Sequence, residues 1–248
     1  MKFHYFVEIK FGSIVLLKKV IKYSVGLIVV FTFYVFLTII LFKFIDPPTT
    51  AFIQQKNSDS FAGITYSDFV LQSWVPIKSI SENMIFAVIA SEDQRFIEHF
   101  GIDLVEVEKI IDKAIDGEST RGASTITQQT VKNLFLFPEK LFIRKGIEVY
   151  YSVLMELIWS KKRILEVYLN IAQFGENIFG VEAASKYYFN KPAQYLSINE
   201  AAQLSAILPN PIKLNLKKKS RYLNNRIARI EKDLNYINQS EIRDKIKN

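Results

Sequence analysis

The chain has no cysteine and only two histidines, and these two shortages exclude several kinds of site. Without cysteine there is no disulfide and no thiolate metal ligand, although this absence does not identify the compartment. His4 and His99 are too few for a His-rich zinc site. The GxSxG, GxGxxG and P-loop motifs are also missing, so nothing in the sequence indicates a nucleophile elbow or a nucleotide-binding loop.

Positive charge is in excess. The 248 residues carry a formal net charge of +7, which favours an anionic partner such as a phosphate, a membrane surface or a nucleic acid.

Residues 23–42, YSVGLIVVFTFYVFLTIILF, have no charge at all. At ~1.5 Å rise per residue this stretch spans ~30 Å, the thickness of a bilayer core, which predicts a transmembrane helix. A buried core helix is the alternative. Lys43 and then Asp46 follow the stretch. The lysines that precede it are Lys2, Lys10, Lys18, Lys19 and Lys22. The positive-inside rule therefore places the N-terminus in the cytoplasm and the remainder outside, where no nucleic-acid partner is expected.

The remaining sequence indicates one helical domain of about 200 residues. Ser79 with Glu82 and Ser197 with Glu200 are predicted capping boxes. No alternating strand series and no repeat occur, so the predicted fold is all-α. Helical patterns are found at 104–116, 124–134, 141–159, 160–171, 180–188 and 197–208. The predicted segments are a cytoplasmic stub (1–22), a transmembrane helix (23–42), a linker (43–60), a folded domain (61–215) and a basic C-terminal tail (216–248).

The stretch IASEDQRFIEHFGID, residues 89–103, ends an apolar helical stripe in an acid. The apolar residues of the stripe are Ile85, Val88 and Ile89. Glu92 is the next position, and a continuing helix would place Phe96 and His99 on the same face, with Arg95 beside them. An acid at the end of an apolar stripe is a candidate general base or acid. The alternative is a helix that ends here, with an ion pair between Glu92 and Arg95.

The stretch RGASTITQQTVKNLFLF, residues 121–137, predicts a tight turn at Gly122 and Ala123, followed by a helix capped by Ser124 or Thr125. One strip of this helix is polar and suits phosphate or sugar, whereas the opposite side is apolar. The alternative is an ordinary amphipathic helix whose polar face meets water. The polar strip consists of Gln128, Gln129, Lys132 and Asn133, and the apolar side of Ile126 and Leu134.

In IRKGIE, residues 143–148, Arg144 and Lys145 lie within one helical turn of Glu148. This is either a surface salt bridge or a carboxylate held among cations, where a pyrophosphate and its metal would sit. Further on, apolar spacing predicts a core stripe of Ile164, Val167, Tyr168 and Ile171.

Taken together, four stretches resemble the motifs of glycosyltransferase family 51 in order and spacing. The RGAST and SKKRILEVYLN segments are most similar to its one-domain branch, the monofunctional biosynthetic peptidoglycan transglycosylases. The resemblance covers about residues 60–215, and Lys140 stands where the family commonly has an arginine. The four stretches are EDQRFIEHFGID (92–103), RGASTITQQTVKNLFL (121–136), RKGIE (144–148) and SKKRILEVYLNIAQFGENIFGVEAASKYYF (160–189).

The resemblance implies a lysozyme-like, two-lobed all-α fold, with a smaller jaw lobe that touches the membrane. It implies that Glu92 is the general base that takes the proton from the 4-hydroxyl of the GlcNAc of lipid II. That oxygen then attacks the anomeric carbon of MurNAc at the lipid-linked end of the growing strand. Undecaprenyl pyrophosphate leaves, and a β-1,4 linkage forms with inversion.

The resemblance also implies that Glu148, Lys132 and Arg144 lie near the donor pyrophosphate, with a divalent cation, Mg²⁺ or Mn²⁺, assisting at Glu148. The residues implied to bind sugar or phosphate are Ser124, Gln128, Gln129 and Lys145. The residues implied to shape the first motif are Asp93, Arg95, Phe96 and His99.

Two other functions remain open. A lysozyme-like glycan hydrolase would suit two carboxylates in an all-α fold, but hydrolysis has no pyrophosphate for the cations to hold. A non-catalytic scaffold of a cell-wall complex would not need Glu92. The expected location is the bacterial inner membrane, with a single-pass anchor and a periplasmic catalytic domain. The expected partners are lipid II, the growing glycan strand, membrane lipid and other cell-wall synthases.

Overall fold

The computed structural model describes residues 2–55, 70–117, 122, 124–136 and 142–247, without the side chains of residues 2–15, 17 and 142. The chain divides into two compact units, residues 1–45 and 46–248, and each is described by itself.

The first unit is one long helix, α1 (Lys2–Phe42). Its segment Lys18–Phe42 is long and apolar enough to cross a membrane, and no other helix in the described ranges is. Large apolar side chains such as Leu27 and Val30 are exposed along it, with 71% and 66% of their surface accessible. A core helix would bury such side chains, so the core-helix alternative is wrong and membrane anchoring is the consistent interpretation.

The second unit is built almost entirely of helices, as predicted. Its described strands are only β1 (Leu71–Gln72) and β2 (Ile178–Phe179), which pair in parallel. Residues 51–55 are helical, and short 3₁₀ turns occupy Ile77–Ser79 and Ala193–Tyr195. The helices are α2 (Glu82–Glu92), α3 (Leu104–Ile115), α4 (Ile126–Phe135), α5 (Phe142–Ile158), α6 (Lys161–Ile171), α7 (Val181–Phe189), α8 (Ile198–Ile207), α9 (Arg221–Asp233) and α10 (Gln239–Lys247).

Most helix starts have a hydroxyl or carboxylate cap, which satisfies a backbone amide that the helix leaves free. The predicted capping box at Ser197 and Glu200 is confirmed. The box predicted at Ser79 and Glu82 is wrong, because Ser79 belongs to a 3₁₀ turn. Ser81 is the cap of α2 instead, accepting the Asn83 amide at 3.2 Å.

The core lies between α2, α8 and α9 on one side and α4, α5 and α6 on the other. Residues 84–90 of α2 are all buried, so this helix is surrounded rather than amphipathic. The predicted core stripe of α6 is confirmed, since each of its four members is at most 1% exposed. A glycine brings α5 close to the loop before α3. Gly101 has φ +78°, and a Cβ there would lie 3.0 Å from the backbone of Ser152.

The segment 216–248 is not separate from the domain, contrary to the sequence interpretation of a basic tail. It forms α9 and α10, and α9 packs against α8 and α2. Leu223, Ile227 and Ile230 recur at helical spacing and are at most 6% exposed. The basic residues occupy the other faces of the helix, which is why composition alone suggested a solvated tail.

Helix α3 carries an apolar stripe with no cover among the described residues. None of its residues is buried, and Leu104 and Ile115 are 71% and 77% exposed. Val107 and Ile111 lie between them on the same face. An uncovered stripe of this kind marks a contact surface.

The packing of α9 predicts a stability effect. Ile230→Ala should lower the free energy of unfolding by about 2–5 kcal/mol, because it empties a filled core position. Tyr222→Ala, 61% exposed on the same helix, is the matched control and should change it by less than about 0.5 kcal/mol. Denaturant unfolding followed by the fluorescence of Trp74 and Trp159 measures both. An Ile230→Ala variant as stable as the parent would show that 216–248 is a dispensable tail.

Candidate active site

Helix α2 ends at Glu92, so the apolar stripe does not continue along a helix, and the alternative of a helix that ends here is confirmed. Asp93 is the C-cap with φ −162°, and residues 94–100 form turns. The turns still bring Phe96 and His99 together, with ring centroids 6.4 Å apart and Phe96 fully buried. The predicted neighbours are therefore correct, but the turn places them rather than a shared helix face.

Glu92 is held by three donors. Oε1 accepts from Ser91 Oγ at 2.9 Å and from Arg226 Nη2 at 3.0 Å, and Oε2 accepts from Gln129 Nε2 at 3.0 Å. The side chains of Glu92 and Arg226 are 10% and 12% exposed, so this ion pair is largely desolvated. The carboxylate therefore has a fixed orientation at the edge of solvent.

The ion pair that we considered between Glu92 and Arg95 does not form. Arg95 pairs instead with Glu98 at 2.7 Å and with Asp103 at 3.2 Å. The turn after Glu92 directs Arg95 away, and Arg95 joins the first motif to the start of α3.

Tyr168 fixes the amide of Gln129. Its hydroxyl donates to Gln129 Oε1 at 3.0 Å, which turns Nε2 of the same amide toward Glu92. Burial, followed by the negative charge of Glu92, raises the pKa of Tyr168 well above its usual value. The phenol therefore stays protonated and acts as a donor.

Asp93 connects the first motif to α4. Its Oδ2 accepts the backbone amide of Ile126 at 2.9 Å, and its Oδ1 lies 2.8 Å from His99 Nε2. Both side chains of the Asp93–His99 pair are at most 5% exposed. These contacts hold the turn of the first motif against the start of α4.

A second buried contact holds the same region. Lys161 Nζ donates to the carbonyl of His99 and to Glu156 Oε1, both at 2.7 Å, and lies 4.6 Å from the centre of the Phe96 ring. Glu156 also accepts from Thr127 Oγ1 at 2.6 Å. Burial lowers the pKa of Lys161, and the charge of Glu156 opposes that effect. Helices α4, α5 and α6 are thereby joined under the first motif.

Asp93, His99 and Asp103 lie close enough together to suggest a metal site. Both oxygens of Asp93 have partners, Ile126 and His99, while Asp103 accepts Arg95 and caps α3 through its Oδ1. The Arg95 cation beside Asp103 also opposes a second cation. The group fits a structural network rather than a metal centre.

Gln128 is not an exposed sugar-binding side chain, as the polar strip had suggested. It is 2% exposed and completes a capping box with Thr125, its Oε1 accepting the Thr125 amide at 3.2 Å. The same Oε1 accepts from Lys145 Nζ at 3.2 Å, and Lys145 also donates to Ser124 Oγ at 2.9 Å. Asn133 is likewise buried, so the alternative of a water-facing polar surface is wrong as well.

Glu148 lies among cations and is only 2% exposed, which excludes the surface-salt-bridge alternative. Its Oε1 accepts from Lys145 Nζ, and its Oε2 lies 3.5 Å from Arg144 Nη1. Arg144 Nε is buried and has no partner among the described residues. Arg144 therefore has a donor whose partner does not lie among the described residues.

The charges of both Glu92 and Glu148 act on Lys132. Burial lowers the pKa of Lys132, and Arg144 and Lys145 add to this, whereas the negative charges of Glu148 and, more weakly, Glu92 oppose it. A cation influenced by both acids lies in the region that they share. An additional anion there would favour its charged form.

Glu148 has limited capacity to bind a divalent cation. Both oxygens of Glu148 are already engaged by Lys145 and Arg144, and no other carboxylate bonds to this cluster among the described residues. Mg²⁺ is commonly held by one carboxylate together with substrate phosphates, so the protein alone does not form a complete site.

The structure thus forms two regions from the predicted residues. One region is built around Glu92, with Gln129, and the other around Glu148, with Ser124, Gln128, Lys132, Arg144 and Lys145. Arg121, Ala123 and Lys140 lie outside the described residues.

The sequence interpretation missed Ser91, Tyr168 and Arg226 as partners in the first region. For Arg226 a signal existed, because it borders the Leu223–Ile227 stripe that buries one side of α9. Its partner Glu92 is 134 residues away in sequence, and no local pattern could pair them.

Comparisons with known proteins show the family of this chain. The sequence model of a family described as Transglycosylase matches residues 63–235, which extends past the predicted boundary at 215. The chain is 49% identical over 195 residues to a biosynthetic peptidoglycan transglycosylase of Shewanella frigidimarina, covering 79% of this chain and 82% of that protein. It is 46% identical over 206 residues to a protein of the same name from Pasteurella multocida, covering 83% of each.

A third relative of that name, from Haemophilus influenzae, is 50% identical over 196 residues, covering 77% of this chain and 78% of the relative. With a family match over most of the chain and relatives this similar along their length, the chain belongs to the transglycosylase family.

Proposed function

We propose that this chain is a peptidoglycan glycosyltransferase that polymerises lipid II into β-1,4-linked glycan strands and releases undecaprenyl pyrophosphate. The observation that supports it best is that one site contains both an oriented carboxylate, Glu92, and a cluster of cations around Glu148. The charges of both carboxylates act on Lys132. A base on one side and cations on the other are what transfer from a pyrophosphate-linked donor requires.

Glu92 is the general base of the proposed reaction. It lies at the end of α2 with 10% of its side chain exposed, so a substrate hydroxyl can reach it. The 4-hydroxyl of the acceptor GlcNAc gives its proton to Glu92 while its oxygen attacks the anomeric carbon of the donor MurNAc. The bond to pyrophosphate breaks with inversion, and the electron pair goes to the leaving group.

The cations around Glu148 stabilise that leaving group. Lys132, Arg144 and Lys145 place positive charge near this carboxylate. Such charge lowers the barrier most where negative charge develops in the transition state. Glu148 holds Lys145 and Arg144 in position.

A divalent cation, Mg²⁺ or Mn²⁺, belongs to the proposal as part of the bound substrate. Glu148 would supply one ligand and the pyrophosphate oxygens the others. The ion would supply further positive charge at the leaving group.

The hydrolase alternative is weaker. Two carboxylates in a helical fold are compatible with glycan hydrolysis, but a hydrolase has no anionic leaving group for three clustered cations. The scaffold alternative gives no reason for three donors to orient Glu92.

Membrane attachment completes the proposal. We infer that α1 crosses the bacterial cytoplasmic membrane with its N-terminus inside, because lysines precede the span, and that the second unit is periplasmic. The uncovered stripe of α3 suits contact with the lipid surface where lipid II resides. Anchoring raises the local concentration of enzyme at its substrate.

Glu92→Gln should abolish polymer formation from labelled lipid II, because the amide cannot take a proton. Purified full-length protein with Mg²⁺ is assayed by size separation of the products. Glu98→Gln, on a side chain 52% exposed in the same segment, is the control and should keep normal rates. A Glu92→Gln variant that makes normal polymer would favour a scaffold, and shortening of preformed glycan by the parent would indicate a hydrolase.

Glu148→Gln should lower turnover by about 100-fold or more, because Lys145 and Arg144 lose the charge that positions them. It should also weaken stimulation by Mg²⁺. Glu182→Gln is the matched control, since Glu182 is also buried and pairs with Lys186 at i,i+4 in α7. The control should lose stability but keep its turnover per folded molecule. Normal turnover and a normal response to Mg²⁺ in Glu148→Gln would show that the ion pairs of Glu148 have only a structural role.

A chain that starts at Asp46 should keep its fold, because the boundary between the units lies there. It should polymerise lipid II more slowly in liposomes than the full chain does, while the two rates converge in detergent micelles. Equal rates in liposomes would mean that α1 contributes only localisation in the cell.

A further inference from the structure

Arg226 joins α9 to the ends of two other helices through one guanidinium. Nη2 donates to Ser91 Oγ at 2.9 Å and to Glu92 Oε1 at 3.0 Å, at the end of α2. Nε donates to the carbonyl of Ala206 at 3.1 Å, near the end of α8. Arg226 itself comes from α9, in the segment that the sequence had separated as a tail.

The two oxygens of Glu92 differ in what they can still accept. A carboxylate oxygen has about two acceptor positions. Oε1 already receives Ser91 and Arg226, whereas Oε2 receives only Gln129. Among the described residues, Oε2 is therefore the oxygen with a position left for a substrate proton.

The charged and titratable groups around Glu92 come from four helices. Arg226 approaches from α9 within hydrogen-bond distance, and Lys132 acts from α4 at longer range. Tyr168 faces it from α6 as a protonated phenol, and Asp93 follows it directly in the chain. Arg226 is the cation bonded to the base, so its removal changes that environment most.

On the basis of the proposed function, we propose that Arg226 is a positioning residue that orients Glu92 for proton abstraction and leaves Oε2 as the oxygen that receives the proton. The proton moves from the acceptor hydroxyl to Oε2, the hydroxyl oxygen bonds to the anomeric carbon, and the pyrophosphate leaves with the electron pair. Arg226 keeps its own protons throughout, since a guanidinium is not deprotonated in proteins.

A purely structural role of Arg226 would give a different kinetic result. If Arg226 only tied α9 to Ala206, its loss would lower stability without changing chemistry in the molecules that remain folded. If it orients and charges the base, its loss lowers kcat at unchanged KM.

The test compares initial rates of lipid II polymerisation by the full-length protein, Arg226→Gln, Arg226→Lys and Arg229→Gln. Arg229 is exposed on the same helix and is the matched control. Rates are measured against lipid II concentration and scaled to the folded fraction from thermal unfolding. Arg226→Gln should lose about 10- to 100-fold in kcat at unchanged KM. Arg226→Lys should fall between the parent and Arg226→Gln, since one ammonium replaces only part of the fork.

A parental kcat in folded Arg226→Gln would overturn the inference and leave the proposed function standing. Should Arg226→Gln not fold, Arg226→Lys decides: a lowered kcat at unchanged KM in the folded fraction supports the inference, and a parental kcat overturns it. No polymer from the parent chain would remove the proposed function, and this inference with it.

Discussion

The hydrogen bond from the Ile126 amide to Asp93 is the contact on which the site depends. It joins the end of α2 to the first residue of α4 at 2.9 Å, and His99 holds the other oxygen of the same carboxylate. Because the first residue of α4 is fixed, the direction of every later side chain on that helix is fixed as well. Successive residues then point to different neighbours, Gln128 to Lys145 and Gln129 to Glu92.

Helix α4 therefore sets the distance between Glu92 and the cations around Glu148. Lys132 follows Gln128 and Gln129 by about one turn, so it lies on the same side of α4 as these two residues. The charges of both Glu92 and Glu148 act on it. A site built on one rigid helix holds its groups more precisely than one built on loops. The burial of α4 on nearly every side supports this role, because a helix packed all around cannot rotate to another register.

The sequence predicted the helical parts of this arrangement well and its tertiary contacts poorly. The periodicity of apolar residues located most helices within a few residues, and i,i+3 and i,i+4 spacing correctly joined Lys145 and Arg144 to Glu148. The end of α2 at Glu92 had no such signal, because Phe96 and His99 continue the apolar spacing through residues that form turns.

The capping role of Gln128 could have been predicted from the sequence. Thr125 followed by Gln at the third helical position is a capping-box pattern, and the structure uses Gln128 in that way. We interpreted the residue by its polarity, as part of a ligand-facing strip. Arg226 is a different case, since its bond to Glu92 depends on how α9 packs and no local pattern contains that information.

Glu92 has its own cation and contacts α4 through a neutral residue, Gln129. In the proposed reaction Glu92 must be able to accept a proton, and the cations around Glu148 must be available to the pyrophosphate. If Lys132 paired directly with Glu92, it would be less available to the leaving group. Glu92 instead has its own cation, Arg226, on the side of α9, and meets α4 through the amide of Gln129. Tyr168 maintains that separation, because its protonated hydroxyl fixes the amide so that a neutral N–H faces the carboxylate.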